Sequence, residues 1–330
     1  MSAFRAYRLH QDNGKVVSRI ENLTLDDLSA GELVIKVRYS TINYKDALAA
    51  AGAGKIVRKF PLVAGIDLAG EVVQSSDPQF QQGDKVVVTG GGLGETLDGG
   101  YSEYARVRSE IAVPIPQGLD EYKCMVLGTA GFTAGLALHR MELNGQLPER
   151  GEIAVTGATG GVGSLAINML AGLGYDVAAV TGKAQSTQYL KMLGAKRVVL
   201  RTELDLGSRP LEKALWAGAV DNLGGEVLGW LTRTVDVNGN IASIGMAGGM
   251  EFKTTVAPFI LRGVNLLGIN SVHVTQALRR SVWARIATDL KPRHLDVIGA
   301  RTIGLHELDA AFGAYLKGEV TGRTIVKIGD

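Results

Sequence analysis

The sequence predicts an α/β protein in which a β-rich lobe is followed by a doubly wound parallel sheet. The first third consists of short strand-like runs separated by glycine turns, whereas the middle alternates apolar strand-like runs with segments of helical spacing. A chain of 330 residues is longer than a single hydrophobic core usually accommodates, so we expect two lobes.

The β-rich lobe is predicted from three runs of strand character. They are Leu33–Val37, Lys85–Val88 and Tyr101–Val107, and glycine turns precede the last two. Short strands punctuated in this way are typical of an irregular barrel or sandwich-like lobe.

The middle of the chain predicts strands covered by helices on both faces of a parallel sheet, because its apolar runs are continuous rather than alternating. Helical spacing appears at 162–173 and 185–193, and an amphipathic helix at 307–317 leads to a terminal strand at 323–328. The predicted strands of the sheet are 153–156, 177–180, 197–200, 217–220, 241–244 and 266–269.

A glycine turn between the first strand and first helix of this sheet predicts a nucleotide site. Gly157, Gly160 and Gly163 are three residues apart, which departs from the usual G-x-G-x-x-G spacing. Glycines let a pyrophosphate approach the free N–H groups and partial positive charge at the helix N-terminus. A tight turn that binds nothing is the alternative.

The end of the second strand predicts which nicotinamide binds. An acidic residue there favours NAD, but this chain has Thr181-Gly182-Lys183. Lys183 and Arg201, which follows the third strand, are cations suited to the 2′-phosphate of NADPH. The alternative is two solvated basic residues. A short-chain dehydrogenase is rejected, because no tyrosine is followed four residues later by lysine and a long β lobe precedes the turn.

Composition excludes several other classes of protein. The net charge of +2 provides no broad basic field for nucleic acid. The single cysteine, Cys124, and the five dispersed histidines predict no metal site and no internal disulfide. The first five residues lack the apolar core of a signal peptide, and no run approaches membrane-spanning length. We therefore expect a cytoplasmic protein without membrane partners.

A set of short motifs is spread over most of the chain. It comprises Asn43–Ala47, Pro61 with Gly65–Gly70, Gly83–Val86, Gly128–Ala134, the Gly157–Gly163 turn, Ser208–Glu212, Pro258–Arg262 and Gly322–Thr324. Together these motifs resemble the medium-chain dehydrogenases and reductases, in particular the quinone oxidoreductase branch and its acryloyl-CoA reductase type.

The resemblance implies a β-rich GroES-like catalytic domain and a Rossmann cofactor domain. The expected boundaries are 1–124 for the catalytic domain, 125–297 for the NADPH-binding domain, and 298–330 for a return to the catalytic domain. It also implies a homodimer formed through the sheet edge around Leu266–Ile269.

Zinc-dependent relatives have Gly-His-Glu where this chain has Gly65-Ile66-Asp67. A catalytic zinc needs about three protein ligands, and isoleucine supplies none. The resemblance and the ligand count therefore agree on a metal-free site. Without a metal, the implied chemistry is hydride transfer from NADPH to the β-carbon of an enone, quinone or enoyl thioester.

The resemblance also assigns the site residues. Asn43 and Tyr44 are expected beside the nicotinamide, where Tyr44 either donates to the substrate oxygen or only packs against the ring. Asp67 is expected to orient a lysine or water, with a role as catalytic base as the alternative. Arg323 is expected to meet a phosphate of the cofactor or of coenzyme A. The remaining cofactor contacts are expected from Thr159, Gly160, Gly161, Val162, Thr181, Gly182, Lys183, Arg201, Met246, Ile260 and Ser271.

The substrate is the least constrained expectation. Acryloyl-CoA is favoured by resemblance, a quinone is the alternative, and a catalytically silent NADPH-binding protein is the alternative of another class. Lys55, Arg58 and Lys59 form a local basic group that either holds coenzyme A phosphates or is a solvated loop.

Overall fold

The computed structural model describes residues 3–329. These residues form two compact units. The first contains the described residues of Met1–Thr129, Val272–Trp283 and Leu295–Asp330, and the second contains Ala130–Ser271 and Ala284–His294. No helix in the described part of the chain is long and apolar enough to cross a membrane.

The strands were numbered along the chain. They are β1 (Phe4–Asp12), β2 (Lys15–Leu23), β3 (Leu33–Thr41), β4 (Leu62–Val63), β5 (Asp67–Ser75), β6 (Lys85–Thr89), β7 (Tyr104–Val107), β8 (Ala112–Pro114), β9 (Ile153–Thr156), β10 (Val177–Thr181), β11 (Arg197–Leu200), β12 (Trp216–Asp221), β13 (Val235–Ser243), β14 (Asn265–Gly268), β15 (Arg301–Gly304) and β16 (Thr324–Lys327).

The α-helices were numbered in the same way, and short 3-10 turns were left without labels. The helices are α1 (Tyr44–Ala50), α2 (Glu121–Leu143), α3 (Gly161–Gly172), α4 (Thr187–Met192), α5 (Gly225–Thr234), α6 (Ala257–Leu261), α7 (Gln276–Ala287), α8 (Leu295–Ile298) and α9 (Leu308–Leu316). Helix α2 is interrupted at Gly128, whose φ of 51° and ψ of −156° are not helical.

The first unit is β-rich, as the glycine-punctuated runs predicted. A seven-stranded sheet has the order β15-β16-β3-β5-β6-β8, with β7 also pairing with β3, and a three-stranded sheet has the order β2-β1-β4. Alternating residues of β3, including Leu33, Ile35 and Val37, are buried in its core. The predicted strand at 101–107 begins only at Tyr104, because Tyr101 and Ser102 instead contact β1 through single backbone pairings.

The second unit contains one six-stranded sheet in the order β11-β10-β9-β12-β13-β14. Every pairing in it is parallel. Strand β9 is central and the order reverses beside it, which is the doubly wound arrangement with its switch point between β9 and β12. Strands β9, β10 and β12 are buried over their whole length, as strands covered on both faces must be. The predicted fold class is confirmed.

Candidate active site

The glycine turn of the second unit lies at the carboxyl end of β9, at the switch point of the sheet. Gly157 has a φ of 58°, and Gly160 caps α3 without a side-chain hydrogen bond. A Cβ atom at position 163 would collide with the carbonyl oxygen of Gly157. The turn therefore needs glycine at 157 and 163, and it leaves the first amides of α3 free to bind an anion.

A buried aspartate braces this turn. Asp221, at the end of β12, accepts a hydrogen bond from the Thr156 hydroxyl at 2.6 Å and one from the Gly224 amide at 2.9 Å. The next residue, Asn222, also contacts Thr156: its side-chain amide donates to the Thr156 carbonyl at 2.7 Å. Burial raises the pKa of Asp221. These contacts join the ends of β9 and β12 on either side of the switch point.

Asp221 and Asn222 are functional-site residues that were not predicted from the sequence. The available signal was an aspartate at the end of a fully apolar run, since Asp221 directly follows Ala217–Val220. Interpreting that signal required the strand order, because β12 is paired with β9 in space although about sixty residues separate them in sequence.

The predicted cofactor-selecting residues meet at the carboxyl ends of β10 and β11. Thr181 is paired with Leu200, so the residues after each strand are neighbours. The Thr181 hydroxyl accepts a hydrogen bond from the Lys183 amide at 3.0 Å. A Cβ atom added at the exposed Gly182 would lie 3.8 Å from the Arg201 guanidinium. Lys183, Arg201 and the small Gly182 are thus neighbours where these two strands end, an arrangement that suits a phosphate group. These three residues are called the basic corner below.

The other predicted cofactor residues of the second unit differ in exposure. Thr159 is buried, whereas Gly160, Gly161, Val162 and Ser271 are half-buried. Met246 and Ile260 have exposed fractions of 62% and 73%, so neither is a core residue of this unit. Their contacts with a cofactor stay predictions.

The first unit brings Asn43 and Asp67 together in its interior. The Asn43 side-chain amide donates to Asp67 at 2.8 Å, and the backbone amide and hydroxyl of Thr129 donate to the same carboxylate at 2.7 and 2.5 Å. Asp67 is fully buried. Burial raises its pKa, while the Thr129 hydrogen bonds and the Arg323 charge act in the opposite direction.

Arg323 completes this buried cluster. Its guanidinium donates to the Asn43 side-chain carbonyl at 3.1 Å, to the Thr41 hydroxyl at 2.9 Å and to the Ile42 carbonyl, and it lies 4.0 Å from Asp67. The residue is 3% exposed. The guanidinium is thus engaged by partners within the first unit, and its contact with a phosphate of the cofactor or of coenzyme A stays a prediction.

Gly128 is the point at which the interrupted α2 reaches the cluster. A Cβ atom there would lie 2.6 Å from the Asp67 carboxylate and 2.8 Å from the Arg323 guanidinium. Glycine is required both for its positive φ and for this close approach.

Tyr44 differs from its neighbour Asn43, which is 7% exposed and has both side-chain atoms hydrogen-bonded. Tyr44 is the first residue of α1 and is 44% exposed. Asp46, also in the first turn, accepts hydrogen bonds from the amides of Asn43 and Ile66. Burial, reinforced by the charge of Asp67, raises the pKa of Asp46 to about 7 despite those hydrogen bonds. The cluster therefore holds the start of α1 while Tyr44 projects outward.

Within residues 3–329, no group of three or more His, Cys, Asp or Glu side chains is arranged to hold a metal ion. Ile66 is buried and Cys124 is a free, buried thiol. The metal-free site stays a prediction from the sequence.

A doubly wound sheet with a glycine turn at its switch point, together with a separate β-rich unit, defines a nucleotide-dependent dehydrogenase or reductase. Two family models agree: the alcohol dehydrogenase GroES-like domain matches residues 29–117, and the zinc-binding dehydrogenase model matches residues 161–288. The putative quinone oxidoreductase YhfP of Bacillus subtilis is 46% identical over 98% of this chain and 99% of its own. The acrylyl-CoA reductase AcuI of Ruegeria pomeroyi is 46% identical over 96% of each chain.

The chain belongs to the medium-chain dehydrogenase/reductase superfamily, in the branch that contains these quinone oxidoreductases and acrylyl-CoA reductases. The crystal structure of the yhdH oxidoreductase from Salmonella enterica in complex with NADP has a TM-score of 0.95 at 45% identity, covering 98% of this chain and all of the other. Bacillus subtilis yhfP with NAD bound has a TM-score of 0.96 at 46% identity, covering 99% and 100%. The predicted family is confirmed.

Proposed function

We propose that this chain is an NADPH-dependent reductase that saturates an activated carbon–carbon double bond, with acryloyl-CoA as its substrate and propanoyl-CoA as the product. The observation that carries the cofactor assignment is the basic corner formed by Gly182, Lys183 and Arg201. The substrate assignment is supported by the similarity to the acrylyl-CoA reductase AcuI.

The residues of the second unit fit NADPH. The α3 amides behind Gly160, Gly161 and Val162 suit the pyrophosphate, because no side-chain cap occupies the helix N-terminus. Thr181, Lys183 and Arg201 suit the 2′-phosphate. We assign Thr159, Met246, Ile260 and Ser271 to the rest of the cofactor groove. Since Bacillus subtilis yhfP was solved with NAD bound, the ratio of kcat/KM for NADPH to that for NADH is the measure of this preference.

NADPH, when bound, would supply the hydride for the β-carbon. As the double bond is reduced, negative charge grows on the carbonyl oxygen, and a hydrogen-bond donor aimed at that oxygen lowers the barrier. Tyr44 is assigned this role, with packing against the nicotinamide as its alternative. Water is assigned as the source of the proton that reaches the α-carbon.

Asp67 and Asn43 are assigned as positioning residues. Their polar atoms are already bonded inside the first unit, so we assign them no proton transfer. Instead, Asp67 and Arg323 hold Asn43, and Asn43 precedes Tyr44 at the N-terminus of α1. Fixing the first turn of a helix restricts the directions that its first side chain can take.

NADPH:quinone oxidoreductase activity is the second candidate function. The chain is 46% identical to the putative quinone oxidoreductase YhfP and 46% identical to AcuI. Sequence identity therefore favours quinone reduction as much as it favours acyl-CoA reduction. Both reactions use the same hydride donor, so the cofactor residues do not separate them.

One assay tests these candidates. NADPH absorbance is followed with acryloyl-CoA, crotonyl-CoA and 1,4-benzoquinone as separate acceptors. We expect the highest kcat/KM with acryloyl-CoA. Turnover of the quinone alone would replace the acyl-CoA function, and turnover of no acceptor would favour a binding protein without catalytic activity.

A homodimer is proposed through the free edge of the second unit's sheet, as the family resemblance implied. Within the described residues, β14 pairs only with β13, and Leu266 on β14 is 36% exposed. Leu261, at the end of α6 and four residues before β14 begins, is 68% exposed. Light scattering of the wild type and of Leu266→Lys tests this: we expect a dimer that the lysine dissociates, and a monomeric wild type would contradict it. A cytoplasmic location stays a prediction.

A further inference from the structure

The segment between α1 and β4 has an unusual charge composition. Residues 47–66 contain Lys55, Arg58 and Lys59 and no aspartate or glutamate. In the described structure, neither the Lys55 nor the Arg58 side chain makes a hydrogen bond or ion pair, and Lys59 donates to the Ser29 hydroxyl at 3.2 Å. All three residues are exposed. The positive charge of this segment is therefore largely uncompensated by the protein.

Apolar side chains attach the same segment to the unit below it. Ile56, Val57 and Phe60 are partly buried and pack against the core of the first unit. The apolar residues of this segment are thus partly buried while its cations are exposed. The segment is called the basic loop (residues 55–60) below.

Glu95 connects the basic loop to the start of α1. The backbone amide of Arg58 donates to the Glu95 carbonyl at 2.9 Å, and the Glu95 carboxylate accepts from Lys45 at 3.0 Å. Lys45 is the residue after Tyr44. The Glu95 carboxylate is therefore paired with Lys45 rather than with a cation of the loop, and Glu95 joins the basic loop to the helix that carries the proposed substrate-contacting tyrosine.

We infer that the basic loop is the subsite for the phosphate groups of the coenzyme A carrier, with Arg58 and Lys55 as the specificity-determining residues. This inference rests on the proposed acyl-CoA function. A diphosphate and a ribose phosphate carry several negative charges, which match three unneutralised cations, and arginine can bind one phosphate through two parallel N–H donors. Charge steering would also raise the rate of substrate encounter.

The test compares two substrates that present the same acryloyl thioester, acryloyl-CoA and acryloyl-pantetheine, of which the second lacks every phosphate. Both are assayed at saturating NADPH with the wild type and with Lys55→Ala/Arg58→Ala. We expect the double variant to raise the KM for acryloyl-CoA at least tenfold, with kcat unchanged and with no change for acryloyl-pantetheine. The KM for NADPH should also be unchanged, because the cofactor phosphates are assigned to the second unit.

The matched control is Lys15→Ala/Arg301→Ala, which removes one exposed lysine and one exposed arginine elsewhere in the same unit. It should leave both substrates unaffected. Raised salt should increase the KM for acryloyl-CoA in the wild type more than in the basic-loop variant.

Two outcomes separate the inference from the function on which it rests. If the wild type reduces acryloyl-CoA but the basic-loop variant changes both thioesters equally, or neither, the inference is wrong and the function stands. If the wild type reduces neither thioester, the proposed function is wrong and the inference is wrong with it. An increase in the KM for NADPH alone would assign the loop to the cofactor instead.

Discussion

The carboxylate of Asp67 accepts a hydrogen bond from the side-chain amide of Asn43 at 2.8 Å, in the fully buried interior of the first unit. Arg323 bonds the other side-chain atom of Asn43 and lies 4.0 Å from Asp67. The asparagine that caps α1 is thus fixed from both sides. The Asp67 carboxylate is thus engaged by partners inside the first unit, which supports a positioning role for it.

Asp67→Asn tests this role. The substitution removes the counter-charge of Arg323 and turns one hydrogen-bond acceptor into a donor that faces the donors of Asn43 and Thr129. Breaking a buried pair by removing one partner costs about 3–5 kcal/mol, so we expect a markedly lower melting temperature by calorimetry. The exposed carboxylate control, Asp296→Asn, should melt as the wild type does. A stable Asp67→Asn protein whose kcat falls strongly and loses the pH dependence seen in the wild type would instead identify Asp67 as a proton-transfer group.

Cofactor selection can be measured at the basic corner. Lys183→Ala and Arg201→Ala should each lower kcat/KM for NADPH about tenfold or more, since a hydrogen bond to a charged group contributes about 1.5–3 kcal/mol. The kcat/KM for NADH, which lacks the 2′-phosphate, should change little. Lys191→Ala, which removes an exposed lysine from α4 of the same unit, is the control. Equal losses for the two cofactors would mean that these cations do not bind the 2′-phosphate.

The sequence predicts some features of the structure and not others, and the difference follows from the sequence distance of the contacts involved. The Gly157 turn and the strands around it follow local rules, since each depends on residues within about ten positions. In contrast, the hydrogen bond of Asp221 involves Thr156, about 65 positions away, and that of Arg323 involves Asn43, about 280 positions away. A lone arginine near the C-terminus carries no local signal that its guanidinium is enclosed by Thr41, Ile42 and Asn43, so this enclosure could not be predicted from the sequence.

The close approach inside the glycine turn predicts a sharp difference between two glycines of α3. Gly163→Ala would place its Cβ atom against the Gly157 carbonyl and the Ala158 backbone, so we expect NADPH affinity to fall at least tenfold. Gly172→Ala meets nothing within 4 Å and should bind NADPH normally. Binding is measured by the fluorescence of NADPH. Wild-type affinity in Gly163→Ala would show that the turn relaxes without loss.

The absence of zinc is predicted although one matching family model is named for zinc binding. Ile66 offers no ligand atom, and Asp67 has its carboxylate engaged by Asn43 and Thr129. Elemental analysis of the purified protein should find far less than one zinc per chain, and chelator treatment should leave activity unchanged. Stoichiometric zinc whose removal abolishes turnover would contradict the prediction.

Asp46 imposes a pH dependence on the stability of the folded protein. Its pKa is raised from the usual 3.8 to about 7, chiefly by burial and also by the charge of Asp67. The folded state therefore holds this proton more tightly than the unfolded chain. That contribution to stability is fully present below pH 3.8, and it is lost as the pH rises through about 7.

Asp46→Asn is neutral at every pH and lacks this dependence. Any hydrogen bond that the substitution loses shifts its stability equally at each pH. Between pH 5 and pH 8 we expect the wild type to lose about 3 kcal/mol of unfolding free energy relative to the variant, at 1.36 kcal/mol per pKa unit. Urea unfolding at the two pH values measures the difference. If the unfolding free energies of both proteins changed in parallel, Asp46 would have to be ionised in the folded protein already at pH 5. The first turn of α1 would then contain a buried carboxylate that is stabilised by the amides of Asn43 and Ile66.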